Sequence, residues 1–134
     1  MKNQLKCIIA GSRTITNYNI IEKAINSSGW KDDIKEIVCG DAYGVDKLGE
    51  QWAVSHNIPV KHFPANWSDI TKSDAIIREN KYGKYNAKAG IIRNEEMGKY
   101  ADILIAIIKD NSSGTKHMIE YMQSLNKKVY IWEV

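Results

Sequence analysis

Short apolar runs alternate with longer stretches of helical spacing from one end of this chain to the other. Leu5–Gly11 opens the series, with Cys7, Ile8, Ile9 and Ala10 apolar in succession, and predicts a strand. Tyr18–Ser28 sets Ile20, Ile21, Ala24 and Ile25 on one side of a helix that Gly29 stops. Ile34–Cys39 predicts a second strand. Gly44–Asn57 predicts a helix with Val45, Leu48, Trp52 and Ala53 on one face, and Pro59–Phe63 a short third strand. Ala87–Tyr100 reads as a helix with less regular apolar spacing than the others. Ile103–Ile108 (ILIAII) is the clearest strand of all. Thr115–Leu125, with Met118, Ile119, Met122 and Leu125 apolar, is a helix, and Val129–Trp132 the last strand.

A continuous run such as ILIAII needs burial on both faces, as a central parallel strand provides. Strands alternating with helices of this length build βαβ units, and so an α/β domain with helices covering both sides of its sheet. The expected architecture is a doubly wound, five-stranded parallel sheet of order 3-2-1-4-5, one domain over residues 1–134. Its ligand crevice would open between the first and fourth strands, at their carboxyl ends. Ser68–Asn86 fits neither pattern, and reads as a lid or insertion, or as a short helix around Ala75–Glu79.

Composition changes this picture little. The 134 residues are 43% hydrophobic and 26% charged, ordinary values for a soluble domain. Net charge is +3, with acids interleaved among the bases. That balance suits an anionic small molecule better than nucleic acid, which selects denser basic surfaces. The apolar core of the N-terminal segment is too short for a signal peptide, and no run approaches membrane-spanning length, so a cytoplasmic location without membrane contact is expected. Cys7 and Cys39 lie inside strand-like runs and read as buried, reduced thiols. His56, His62 and His117 follow no metal-ligand spacing, so neither a metal nor a cofactor is expected.

The candidate chemistry sits in three strand-to-helix turns. They are Gly11-Ser12-Arg13-Thr14, then Cys39-Gly40-Asp41-Ala42-Tyr43-Gly44-Val45-Asp46, then Asn111-Ser112-Ser113-Gly114-Thr115. Glycine allows close backbone approach, and the amides opening the following helices attract anions. Serine and threonine hydroxyls add neutral hydrogen bonds, and Arg13 a forked cationic donor. Tight turns and helix caps use the same residues, but in a parallel sheet all three turns fall on one edge. Asp41 and Asp46 would repel phosphate and suit ribose hydroxyls or helix capping. Neither GxGxxG nor GxxxxGK[ST] occurs. Arg93 and Asn94 lie on the helix before the fourth sheet strand, Arg93 beside Gly90 and within pairing distance of Glu96. Trp67, Tyr82 and Tyr85 flank the long polar stretch, either to stack on a base or to fill core.

Five strings together resemble the YspA/YpsA-related branch of the SLOG superfamily. They are Gly11-Ser12-Arg13, Gly40–Asp46 with Trp52-Ala53, Phe63-Pro64-Ala65-Asn66-Trp67, Ala89–Met97 and Ser112–Ile119. The resemblance implies a Rossmann-like fold and a nucleotide, NAD-derived or related phosphorylated ligand. It also implies self-association, hence a homodimer or higher homo-oligomer. The lonely-guy enzymes of the same superfamily cleave the base from a nucleoside monophosphate with an arginine and a glutamate. Arg93 falls on the first of these positions. The second is occupied by Met118, with Glu120 two residues further on, so the implied N-glycosidase chemistry would use Arg93 with Asp41, Asp46 or Glu120. The second turn is also similar to the DNA-processing protein A family, which implies single-stranded nucleic acid as a third class of ligand.

Overall fold

The computed structural model describes residues 4–40, 44–65, 77–80, 83–86, 88–109 and 113–134. Strands β1 (Leu5–Gly11), β2 (Ile34–Cys39), β3 (Val60–His62), β6 (Ile103–Ile108) and β7 (Lys128–Glu133) form one sheet of order β3-β2-β1-β6-β7. Every pairing in it is parallel. Counted among the parallel strands alone this is 3-2-1-4-5, the doubly wound order that the alternating pattern implies.

Successive strand residues point to opposite faces, and the core divides accordingly. Cys7, Ile9, Ile37, Ile105 and Ile107 pack with Ile21, Ala24 and Ile25 of α1 (Tyr18–Ser28) and with Val45, Trp52 and Ala53 of α2 (Val45–Ser55). Ile8, Ala10, Val38, Leu104 and Ala106 pack with Met97 of α3 (Lys88–Tyr100) and with Met118, Ile119 and Met122 of α4 (Ser113–Ser124). The sheet is thus covered on both sides, which is why ILIAII carries no polar residue. β1 and β6 are central; β7 is an edge, and Ile131 on it is exposed.

Local signals set the ends of the helices. Asn17 caps α1 by accepting from the Asn19 amide at 3.0 Å, and Gly29 ends it at φ +80°, a left-handed conformation that glycine adopts without a Cβ penalty. The limits of β1, β2 and β6 agree with the sequence reading, and those of α2, α3, α4, β3 and β7 differ from it by at most two residues, the usual fraying range. Both cysteines are buried, and neither is in a disulfide. Burial pushes the Cys7 thiol well above its ordinary pKa, so it stays protonated and behaves as a small apolar group.

One expectation is corrected. Ile77–Asn80 (β4) and Gly83–Asn86 (β5) form an antiparallel hairpin, with Ile77 opposite Asn86 and Asn80 opposite Gly83. Ile77–Glu79 are therefore extended, not part of a short helix around Ala75–Glu79. An isolated helical turn fixes several dihedrals for a single hydrogen bond, whereas a paired second strand satisfies the backbone of both runs. No helix among the described residues is long and apolar enough to cross a membrane.

Candidate functional site

β1, β2 and β6 end at the same edge of the sheet, and their turns are bound to one another there. Gly11 lies so close to β6 that a Cβ on it would sit 2.1 Å from the Ile107 carbonyl oxygen. The Ser12 amide then donates to that same carbonyl at 3.1 Å. The buried Ser12 hydroxyl donates to the Lys109 carbonyl and accepts from the Lys109 amide, both at 2.8 Å. Ser12 is therefore the clasp between the first turn and the end of β6. Its carbonyl accepts from the Val45 amide at 3.4 Å, joining the start of α2 to the same turn. Gly44, at φ +77°, meets the Arg13 backbone where a Cβ would clash at 2.6 Å. Arg13 and Thr14 are exposed at this edge.

The second turn is held from two directions. Asp46, buried in the first turn of α2, accepts from the Gly40 amide at 3.2 Å. A carboxylate there also complements the positive end of the helix. Arg93, from α3 on the opposite face of the sheet, donates through Nη1 to the Gly40 carbonyl and through Nε to Asn94 Oδ1 at 3.2 Å. A Cβ on Gly40 would meet the guanidinium, so a larger residue there would make the end of the Arg93 side chain shift.

Asn94 carries the contact onward to the third turn. It is 8% exposed, and its Nδ2 donates to the Gly114 carbonyl at 3.2 Å and lies 3.2 Å from His117 Nδ1. With His117 Nδ1 as acceptor, both amide hydrogens are used. His117 is half-buried and its ring lies nearly parallel to Tyr121 at 6.3 Å, while Thr115 is buried at the start of α4. His117 had no signal in its spacing; its place one turn after Gly114 is the feature that could have marked it.

Of the residues singled out from the sequence, Gly11, Ser12, Arg13, Gly40, Gly44, Val45, Asp46, Arg93, Asn94, Gly114 and Thr115 are brought to this edge. Asp41, Trp67, Tyr82 and Ser112 lie outside the described residues; the backbone of Ser113 opens α4 and that of Tyr85 lies in β5. Glu120 is exposed, two turns past Ser113 or about 10 Å along α4, whereas Met118 is buried in the core. Arg93 and Asp46 meet at opposite ends of Gly40, and Glu120 stands apart from both. A groove of about 860 Å³ lies beyond Gly44, between Ile15, Thr16, Tyr18 and the Leu48, Gln51 and Val54 side of α2. It touches neither Arg93 nor Asn94, and its lining is largely apolar, so the polar edge is the better candidate for an anionic ligand.

Residues 5–69 match the family described as the YspA, cpYpsA-related SLOG family. This stretch belongs to that family. Its boundaries take in the first two turns, α1, α2 and the Phe63–Trp67 string; Arg93, Asn94 and the third turn lie beyond the matched SLOG stretch. Among solved structures, DNA processing protein A (DprA) from Streptococcus pneumoniae is similar, with a TM-score of 0.67 at 16% sequence identity. The alignment covers 96% of this chain and 50% of that one, so the present chain spans about half of that protein's length. At this identity the likeness establishes the fold. No curated protein sequence matches the chain.

Proposed function

We propose that this chain binds a nucleotide or NAD-derived phosphorylated ligand at the carboxyl edge of its sheet, as a sensor or sequestering protein. The observation that carries the reading is the Arg93–Asn94 pair. These two residues reach from α3 to Gly40 and Gly114 and gather the second and third turns beside the first. In doubly wound sheets, ligands occupy the crevice outside the strand ends where the strand order reverses, here between β1 and β6. Exposed Arg13 supplies a forked cationic donor at that edge, and the start of α4 adds backbone amides. SLOG membership of residues 5–69 supports the same ligand class. Ser12 and Asp46 are structural in this reading, since each is spent on a neighbouring backbone.

Calorimetric titration against mononucleotides, dinucleotides, ADP-ribose and cyclic derivatives tests it; saturable heat from at least one member is the expected result. Arg13→Ala then weakens binding by about 1.5–3 kcal/mol, the range for a hydrogen bond to a charged group. A folded protein silent towards the whole panel removes the reading. Hydrolysis has less support, because Met118 stands buried where the lonely-guy enzymes carry a glutamate and Glu120 is exposed elsewhere. Free base released from a nucleoside monophosphate would nevertheless transfer the reading to an N-glycosidase using Arg93 and Asp46. Fold likeness to DNA processing protein A, at 16% identity, brings no nucleic-acid ligand with it.

A further inference from the structure

Cys39 and His62 are direct register partners on the parallel neighbours β2 and β3, so their side chains leave the sheet on the same face. α2 crosses that face and brings Glu50 to them. Cys39 Sγ lies 3.5 Å from His62 Nδ1, and Glu50 Oε1 lies 3.6 Å from His62 Nε2. One ligating atom from each residue falls within 4.8 Å of the other two. We propose that Cys39, His62 and Glu50 form a binding site for a divalent transition metal of the zinc class.

The donor set is the first argument. Thiolate, imidazole and carboxylate are the three side-chain ligands that zinc combines, and they come from three separate elements held by the fold. The second is spacing. Zinc–sulfur and zinc–nitrogen bonds of about 2.3 and 2.0–2.1 Å at a tetrahedral angle set the two donors about 3.6 Å apart. The observed 3.5 Å between Sγ and Nδ1 meets this without movement of either strand. The third is access. Cys39 is buried, but the His62 and Glu50 side chains are 40% and 32% exposed, so an ion enters from the α2–β3 surface and keeps a solvent-facing fourth position.

His62 offers the metal only Nδ1, so Glu50 turns from Nε2 towards the ion. That motion is open to a half-exposed side chain whose further contact is Lys47 Nζ at 3.9 Å. Cys7 is the internal contrast: it is equally buried, and its sulfur faces the Ile8 carbonyl. Binding deprotonates Cys39 and releases a proton to solvent. The site adjoins Gly40, yet it does not depend on the nucleotide reading.

Cobalt(II) titration of the purified, reduced chain tests the proposal, with zinc displacing the cobalt. The expected result is one equivalent bound, with a thiolate-to-cobalt charge-transfer band and the visible bands of tetrahedral cobalt. Cys7→Ser retains the spectrum and Cys39→Ser loses it. His62→Ala, at an exposed position where folding is safe and checked by circular dichroism, weakens binding by about 100-fold or more, at or beyond the cost of losing a supporting partner. Glu50→Gln weakens it less. A folded wild-type chain without the charge-transfer band, or a band that survives His62→Ala or depends on Cys7, overturns the proposal.

Discussion

Helices α2 and α3 cover opposite faces of the same sheet, yet they are built to different rules. α2 turns Val45, Trp52 and Ala53 inwards, and the wholly buried Trp52 ring packs among the Ile-rich positions of β1, β2 and β6. α3 contributes Ala89 and Met97 to its own face but devotes Arg93 and Asn94 to the turns at the sheet edge. The irregular apolar spacing of Ala87–Tyr100 is the trace of that second task. α2 uses one buried polar residue, Asp46 at its start, to hold the second turn and leaves the rest of its apolar stripe unbroken, whereas Arg93 and Asn94 interrupt that of α3 in mid-helix. Local rules are broken where a protein does something besides fold, and α3 is such a place.

Substitutions on the two helices can break this contrast or sharpen it. The largest effect is expected from Trp52→Ala, which should cost about 3–5 kcal/mol in urea unfolding through lost burial and an unfilled cavity. If ligands are found, the protein that remains folded should bind them with unchanged affinity. Asn94→Ala should cost less, about 0.5–1.5 kcal/mol, because it removes hydrogen bonds to the exposed Gly114 carbonyl and the half-buried His117 nitrogen, which water can replace, rather than opening a large void. Unlike Trp52→Ala, it should also weaken any ligand held at the third turn. Equal consequences for binding from both changes would dissolve the distinction between the helices.

The smallest effect is at the C-terminal end of α3. The Tyr100 hydroxyl donates to Glu36 Oε1, and this bond, with burial and the nearby carboxylates, raises the phenol above its ordinary pKa. A raised folded-state value means that the protonated phenol is favoured by folding. Its contribution is therefore complete below about pH 10, the unfolded value, and is lost as pH climbs through the folded one. The stability difference between wild type and Tyr100→Phe should follow that course in denaturation measured from neutral to strongly alkaline pH. A difference that grows with alkalinity would contradict the assignment.

Much of the fold was legible before any coordinates. The limits of β1, α1, β2 and β6 follow from apolar runs, helical spacing and Gly29, all of them local signals. Which turns share an edge also follows from sequence, because parallel strands joined by helices leave no other arrangement. The hairpin β4–β5 was not legible, since Ile77–Asn80 takes its form from pairing with a second polar run and not from a pattern of its own.

The candidate site divides in the same way. Glycine, serine and arginine after β1 mark a functional turn by residue type alone, but the engagement of the Ser12 hydroxyl with Lys109 requires β6 to lie alongside. Arg93 and Asn94 could be suspected, but their partners Gly40 and Gly114 are distant in sequence, and only the packing of α3 selects them. Cys39 and His62 read separately as an apolar thiol and a solvated imidazole. Their meeting is decided by the register of β2 on β3 and by the angle at which α2 lays Glu50 over both. Residue pattern determined the succession of elements because burial acts on each segment through its own periodicity. Tertiary structure decided the partners, because hydrogen bonds and metal geometry act through space between segments that no local period connects.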